Sequence, residues 1–139
     1  MTREAARELL MQLIFQMGVQ KDFSDELKNR FLRDYNINAK QKTYIDDMHR
    51  AIADNLEQID ALINKSSDGW STERMAKSDL AICRLALGEI LFAEDIPEAV
   101  SLNEAVNLAK KFGTDSSQKF VNGLLGTVVR EHGLADQPE

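Results

Sequence analysis

The sequence predicts an all-α fold of about seven helices arranged as two small packed helical bundles. Three observations carry that expectation. Only 2 prolines and 7 glycines punctuate 139 residues, too little turn chemistry for a many-stranded protein. Strong helix formers, Leu, Ala, Glu, Lys and Gln, are abundant throughout. Apolar residues recur three and four apart, and residues that cap helices stand before several of these runs. With 43% hydrophobic and 29% charged residues, the chain has a globular balance and the length of one domain.

Thr2 caps a first helix running to about Gln16, with Ala6, Leu9, Leu10, Leu13 and Met17 on its apolar stripe and Arg3 and Arg7 on the other side. Gly18 and the polar Gln20-Lys21-Asp22 interrupt the pattern. Ser24 restarts it in a second helix whose buried face is Leu27, Phe31 and Tyr35. After the turn Asn36-Ile37-Asn38, Asn38 with Gln41 has the spacing of a capping box for a long third helix carrying Ile45, Met48, Ile52, Ile59 and Ile63. The stretch from Asn64 to Gly69 is the most loop-like, and it divides the chain into helical subdomains over about 1–66 and 67–134.

In the second half, Ser71 follows Trp70 and caps a short helix, and a stronger helix buries Leu80, Cys83, Leu87 and Ile90. Ile96-Pro97 closes it, because a proline ring disfavours helical geometry in the preceding residue. Ser101 with Glu104 forms a second capping box, opening a helix over Leu102, Ala105, Val106, Ala109 and Phe112. Gly113 is expected to end that helix in a left-handed cap. Asp115 with Gln118 opens the last helix, in which Val121, Leu124, Leu125 and Val128 lead to about His132, before Gly133 and a polar tail after Leu134.

A net charge of -6 argues against gripping nucleic acid by bulk electrostatics, which needs many Lys and Arg contacts. Charge is uneven, however, with Lys110, Lys111 and Lys119 set against Asp115 alone between residues 107 and 119. No glycine-rich phosphate loop, nucleophile elbow or paired-histidine zinc helix occurs in the sequence. His49, His132 and the single cysteine, Cys83, are isolated from one another, so no metal or cofactor is expected and a non-enzymatic role is favoured. One cysteine, a polar N-terminus without a leader pattern, and an apolar stretch from Leu80 to Ala93 broken by Arg84 and Glu89 predict a cytoplasmic protein without a membrane span.

The segment from Ile96 to Gly113, IPEAVSLNEAVNLAKKFG, resembles the most recognisable stretch of the NusB family, and Phe120-Val121-Asn122-Gly123-Leu124-Leu125 continues it at the family's spacing. Trp70, the run from Asp79 to Ala86, and Glu89 are similar to the family's central helix. The resemblance covers the second half of the chain, and Ala6-Arg7-Glu8 extends it in pattern to the first. It implies two helical bundles. It also implies a factor that binds boxA-like single-stranded RNA jointly with NusE, a ribosomal small-subunit protein, in antitermination complexes with RNA polymerase that promote rRNA transcription.

The same resemblance selects site residues. Arg3 and Arg7 match an arginine-rich N-terminal segment and would meet phosphates. Phe15 matches an aromatic position that serves either as a stacking platform or as core. Lys119, Phe120 and Asn122 fall where an RNA contact is expected: Lys119 for phosphate, Asn122 for a base edge, and Phe120 for a base face or the core. Asp79 matches an acidic position on the NusE surface, and also suits the N-terminal charge preference of a helix. A homodimer is a further candidate assembly. Two rival readings remain: a NusB-like module that binds only proteins, and the NusB-like domain of RNA cytosine methyltransferases. For the latter, 139 residues leave no room for a nucleotide-cofactor domain.

Overall fold

The computed structural model describes residues 1–67, 69 and 71–131. Among them are seven helices and no strand: α1 (Arg3–Gln20), α2 (Asp25–Leu32), α3 (Ala39–Asp54), α4 (Leu56–Ser66), α5 (Lys77–Phe92), α6 (Glu98–Phe112) and α7 (Ser117–Glu131). None is long and apolar enough to cross a membrane. Helix α5 is the axis of the fold, packing against α1, α3, α4, α6 and α7. Every residue from Asp79 to Glu89 is buried, as expected of a helix enclosed on all sides. Gly88 permits the approach of α3, because a Cβ there would lie 2.5 Å from Ile52 Cγ1.

The seven helices divide the chain differently from the sequence pattern. The apolar spacing through Ile45, Ile52 and Ile59 suggests one helix, but Asn55 splits it into α3 and α4. The Asn55 amide Nδ2 donates to the Ala51 carbonyl at 2.8 Å, and its own N–H is shared between the Ala51 and Ile52 carbonyls, so the side chain competes with the ladder. Helix α4 then runs through Ser66, into the stretch expected to be loop. Beyond Ser71, whose carbonyl accepts from Arg74 and Met75, the chain turns without forming an α-helix.

Several boundaries also shift. The Thr2 hydroxyl accepts from the Ala5 N–H at 3.0 Å and caps α1 as expected, and Ser24 caps α2 through Leu27. Gly18, however, lies inside α1; its missing Cβ would stand 3.1 Å from Arg84 Nη1. The helix ends instead at Lys21, in the left-handed region with φ 55°. Tyr35 lies beyond α2 and is exposed, stacked on Phe31 at 5.9 Å. Asn38 precedes α3 without a side-chain cap, and the Gln41 side chain, the other half of the expected capping box, is turned to Arg3.

Helix α6 starts one turn earlier than its expected Ser101 cap, because Pro97 already stands at the N-cap with φ -60°. Gly113 has extended geometry, φ -101° and ψ -165°, rather than a left-handed cap. Glycine is required there by space: a Cβ would fall 2.4 Å from Ser117 Oγ and 2.7 Å from the Ala109 carbonyl. Ser117 in turn accepts the Thr114 N–H at 2.9 Å, so Thr114 and Ser117, in place of Asp115 and Gln118, organise the entry to α7. Trp70, His132 and the segment after Leu134 lie outside the described residues.

Ion pairs tie these helices together. Arg84 on α5 grips Asp60 on α4 through Nε at 2.9 Å and Nη2 at 2.7 Å, a bidentate fork suited to carboxylate. Asp46 on α3 accepts from Lys28 at 2.9 Å and from Lys42 at 2.8 Å. Burial alone would raise the Asp46 pKa, but the two lysine hydrogen bonds outweigh it and hold the carboxyl below its ordinary range. A depressed folded-state pKa gives stability that is present above the ordinary carboxylate range and lost as pH falls through the folded value. Urea unfolding at pH 7 and about pH 3 is therefore expected to show a smaller acid loss in Asp46→Asn than in the wild type.

Candidate RNA and partner interface

The N-terminal part of α1 meets α3, α5 and α6 through a buried polar cluster around Glu89. The Glu89 side chain is 1% exposed. It accepts from Arg7 Nε at 2.8 Å, from the Ser101 hydroxyl at 2.8 Å, and from the Tyr44 hydroxyl. Arg7 Nη1 also lies 3.8 Å from Glu104. Burial would lower the Arg7 pKa, yet its hydrogen bond and charge attraction to Glu89 raise it, so the guanidinium stays charged. Burial and the Glu89 charge push the Tyr44 hydroxyl far above its usual range, leaving it a neutral donor.

This geometry corrects the expected orientation of Arg7, which is 5% exposed and turned inward from the solvent face. Its charge neutralises Glu89 and is scarcely presented to solvent. Arg3 is different. It is partly exposed, donates through Nε to Gln41 at 2.7 Å, and lies 4.1 Å over the Tyr44 ring.

Phe15 stands 38% exposed on α1, at the edge of a cavity of about 290 Å³ that also takes in Val19, Phe23, Leu56 and Lys77. Its partial exposure leaves part of the ring open. Lys119 and Asn122 are exposed on α7, with Phe120 partly buried between them. Phe120 also lines a cavity of about 400 Å³ with Arg74, Met75, Asp79, Thr114 and Ser116. Asp79 is 8% exposed, and among the described residues its Oδ1 is buried without a hydrogen-bond partner. An unsatisfied carboxylate oxygen is costly, and a donor brought by a partner would satisfy it. Asp79 and Phe120, assigned to different ligands on sequence grounds, therefore line one cavity, whereas Arg3 belongs to the Tyr44 cluster.

The expected lysine patch is partly neutralised, because Lys111 reaches Glu8 of α1 at 2.9 Å. Cys83 is buried, and burial, aided by the Asp79 charge, pushes its thiol well above the usual range, which suits a packing residue. His49 is buried and its Nε2 lies 2.9 Å from the Phe23 carbonyl. Among the described residues no group of three or more His, Cys, Asp or Glu is placed to hold a metal ion.

Sequence reasoning missed Gln41 and Tyr44, which engage Arg3, and Arg74 beside Asp79. The available signal was Glu89: a carboxylate on the buried side of an apolar helix requires partners, although nothing local says which.

Residues 4–130 match the model of the NusB family. A transcription antitermination protein NusB from Acetivibrio thermocellus is 45% identical over 130 residues, covering 94% of this chain and 90% of the relative. Among solved structures, NusB from T. maritima superposes with a TM-score of 0.87 at 32% identity, covering 99% of both chains. A crystal structure of the antitermination factors NusB and NusE in complex with double-stranded RNA matches with a TM-score of 0.84 over 93% of this chain and 96% of that one. At 23% identity, that last likeness concerns the fold.

Proposed function

This chain belongs to the NusB family of transcription antitermination proteins, and from that footing we propose that it binds boxA-like single-stranded RNA jointly with NusE. It acts in the cytoplasm as a binding protein, not an enzyme, within antitermination complexes with RNA polymerase. The observation that carries this reading is the family match along residues 4–130. Single strands are favoured because Phe15 and Phe120 offer ring surface that only unstacked bases can use. Arg3 and Lys119 supply phosphate contacts, Asn122 a base-edge contact, and Arg7 holds the N-terminal part of α1 in place. Asp79 receives a basic side chain of NusE in the cavity it shares with Phe120.

Lys119→Ala is expected to weaken the ternary complex by roughly 3- to 10-fold across RNA sequences, with the melting temperature nearly unchanged, as for an exposed phosphate contact. Asp79→Lys is expected to abolish capture of NusE. A second reading, a module that binds only proteins, draws on the net charge of -6 and the sequestered Arg7. It is the correct one if Lys119→Ala and Asn122→Ala leave RNA affinity intact while Asp79→Lys still abolishes NusE binding.

A further inference from the structure

The arginines of the helix-joining clusters separate into two kinds by what their guanidinium nitrogens meet. Arg84 spends Nε and Nη2 on Asp60, and Arg7 faces Glu89 and Glu104. Both are neutralised by carboxylates and nearly buried. Among the described residues Arg3 has no carboxylate partner. Its Nε is donated to the amide oxygen of Gln41, its carbon Cζ lies 4.1 Å from the centre of the Tyr44 ring, and no hydrogen bond or ion pair among the described residues engages Nη1 or Nη2.

Gln41 is 5% exposed and Tyr44 6% exposed, and Tyr44 is itself fixed by its hydroxyl bond to Glu89. A long side chain that ordinarily samples many rotamers is thus held at two points by rigid neighbours. Its charge is intact and its terminal N–H groups are uncommitted. Holding a binding group in its bound geometry removes the ordering cost of association, and a flat guanidinium is suited to bidentate phosphate recognition. The cavity beside Arg3 also carries Asp47, Glu94 and Asp95 along with Lys40. Those three carboxylates are all exposed and repel an anion near them, so of the charged groups in this lining only Arg3 and Lys40 suit a phosphate.

We propose that Gln41 and Tyr44 of α3 are positioning residues that hold Arg3 as a preformed contact for one phosphate of the bound RNA. The inference rests on the RNA-binding reading above. It explains how a chain with few N-terminal arginines contributes to RNA affinity: one arginine is prepared in place of several mobile ones.

The test is a double-mutant cycle on the complete chain with NusE and boxA-like single-stranded RNA. Gln41→Met removes the acceptor at similar size, Tyr44→Leu removes the ring, and Tyr44→Phe keeps it. Each is made with Arg3 present and in Arg3→Met. Gln41→Met and Tyr44→Leu are expected to weaken RNA binding by roughly 3- to 10-fold, the effect of one charge-assisted contact, and to add nothing in Arg3→Met. Tyr44→Phe is expected to lower thermal stability while keeping RNA affinity within about 2-fold, because its ring remains beneath Arg3. The Arg3 Nε–H proton resonance should be protected from exchange in the wild type and lost in Gln41→Met. Equal losses of affinity in both backgrounds overturn the positioning role, since they would show an effect through the fold alone. An Arg3→Met variant with undiminished RNA affinity overturns the reading of Arg3 as an RNA contact, and the inference with it. Absence of a protected Nε–H resonance with RNA affinity still dependent on Arg3 overturns only the tether.

Discussion

Arg7→Met is expected to destabilise the fold by about 3–5 kcal/mol at neutral pH, the usual consequence of removing one partner from a buried ion pair. Glu89, 1% exposed, would keep hydrogen bonds from Tyr44 and Ser101 but lose the cation that neutralises it. Such a loss is a large fraction of the roughly 5–15 kcal/mol that holds a domain of this kind together. Adding Glu89→Gln removes the uncompensated charge while leaving an oxygen that accepts from one hydroxyl and an amide N–H that the other, reoriented, can accept, so the double variant should recover part of the loss. Chemical unfolding of the wild type, the single variant and the double variant measures both effects. A double variant less stable than Arg7→Met would show that the Glu89 charge is satisfied by something other than Arg7.

Leu87→Ala is expected to cost about 2–5 kcal/mol, from lost apolar transfer plus the cavity left in a packed core. Leu87 is 0% exposed on α5, the helix against which α1, α3, α4, α6 and α7 all pack, so neighbours on several sides are braced and little collapse can fill the space. Val100→Ala is the internal control: the residue is 41% exposed on α6 and should change stability by no more than about 0.5 kcal/mol. Urea midpoints decide the comparison, with an unchanged denaturant slope showing that the effect lies in stability and not in the extent of unfolding. Similar midpoints for Leu87→Ala and the wild type would mean that α5 is not the axis of the fold.

Hydrophobic periodicity made the helical content and most of the core legible. Ala6, Leu9, Leu10, Leu13 and Met17 share one stripe and all are buried; Val121, Leu124, Leu125 and Val128 do the same on α7. What the sequence hid were competitions settled by partners elsewhere. Arg7 is indistinguishable from Arg3 in local pattern, and only Glu89, 82 positions away, turns it inward. Ser101 and Glu104 have the spacing of a capping box, yet Pro97 starts the helix earlier and Glu89 claims the Ser101 hydroxyl. Gly113 suggests a left-handed cap, whereas its real constraint is the closeness of Ser117.

The candidate site shows the same division. Lys119 and Asn122 lie on an exposed helix face that the apolar pattern of α7 already implies. The meeting of Asp79 with Phe120 in one cavity depends on how α5 packs beside the entry to α7, which no local spacing encodes. The engagement of Arg3 by Gln41 and Tyr44 depends in the same way on the packing of α1 against α3.

The most direct test is a set of binding titrations with boxA-like single-stranded RNA at several salt concentrations, with and without NusE. Weak binding and a shallow salt slope are expected for this chain alone, because a protein of net charge -6 with few phosphate contacts releases few counterions. With NusE present, binding should tighten markedly and the slope steepen. RNA affinity that is the same with and without NusE at every salt concentration would contradict joint binding with NusE.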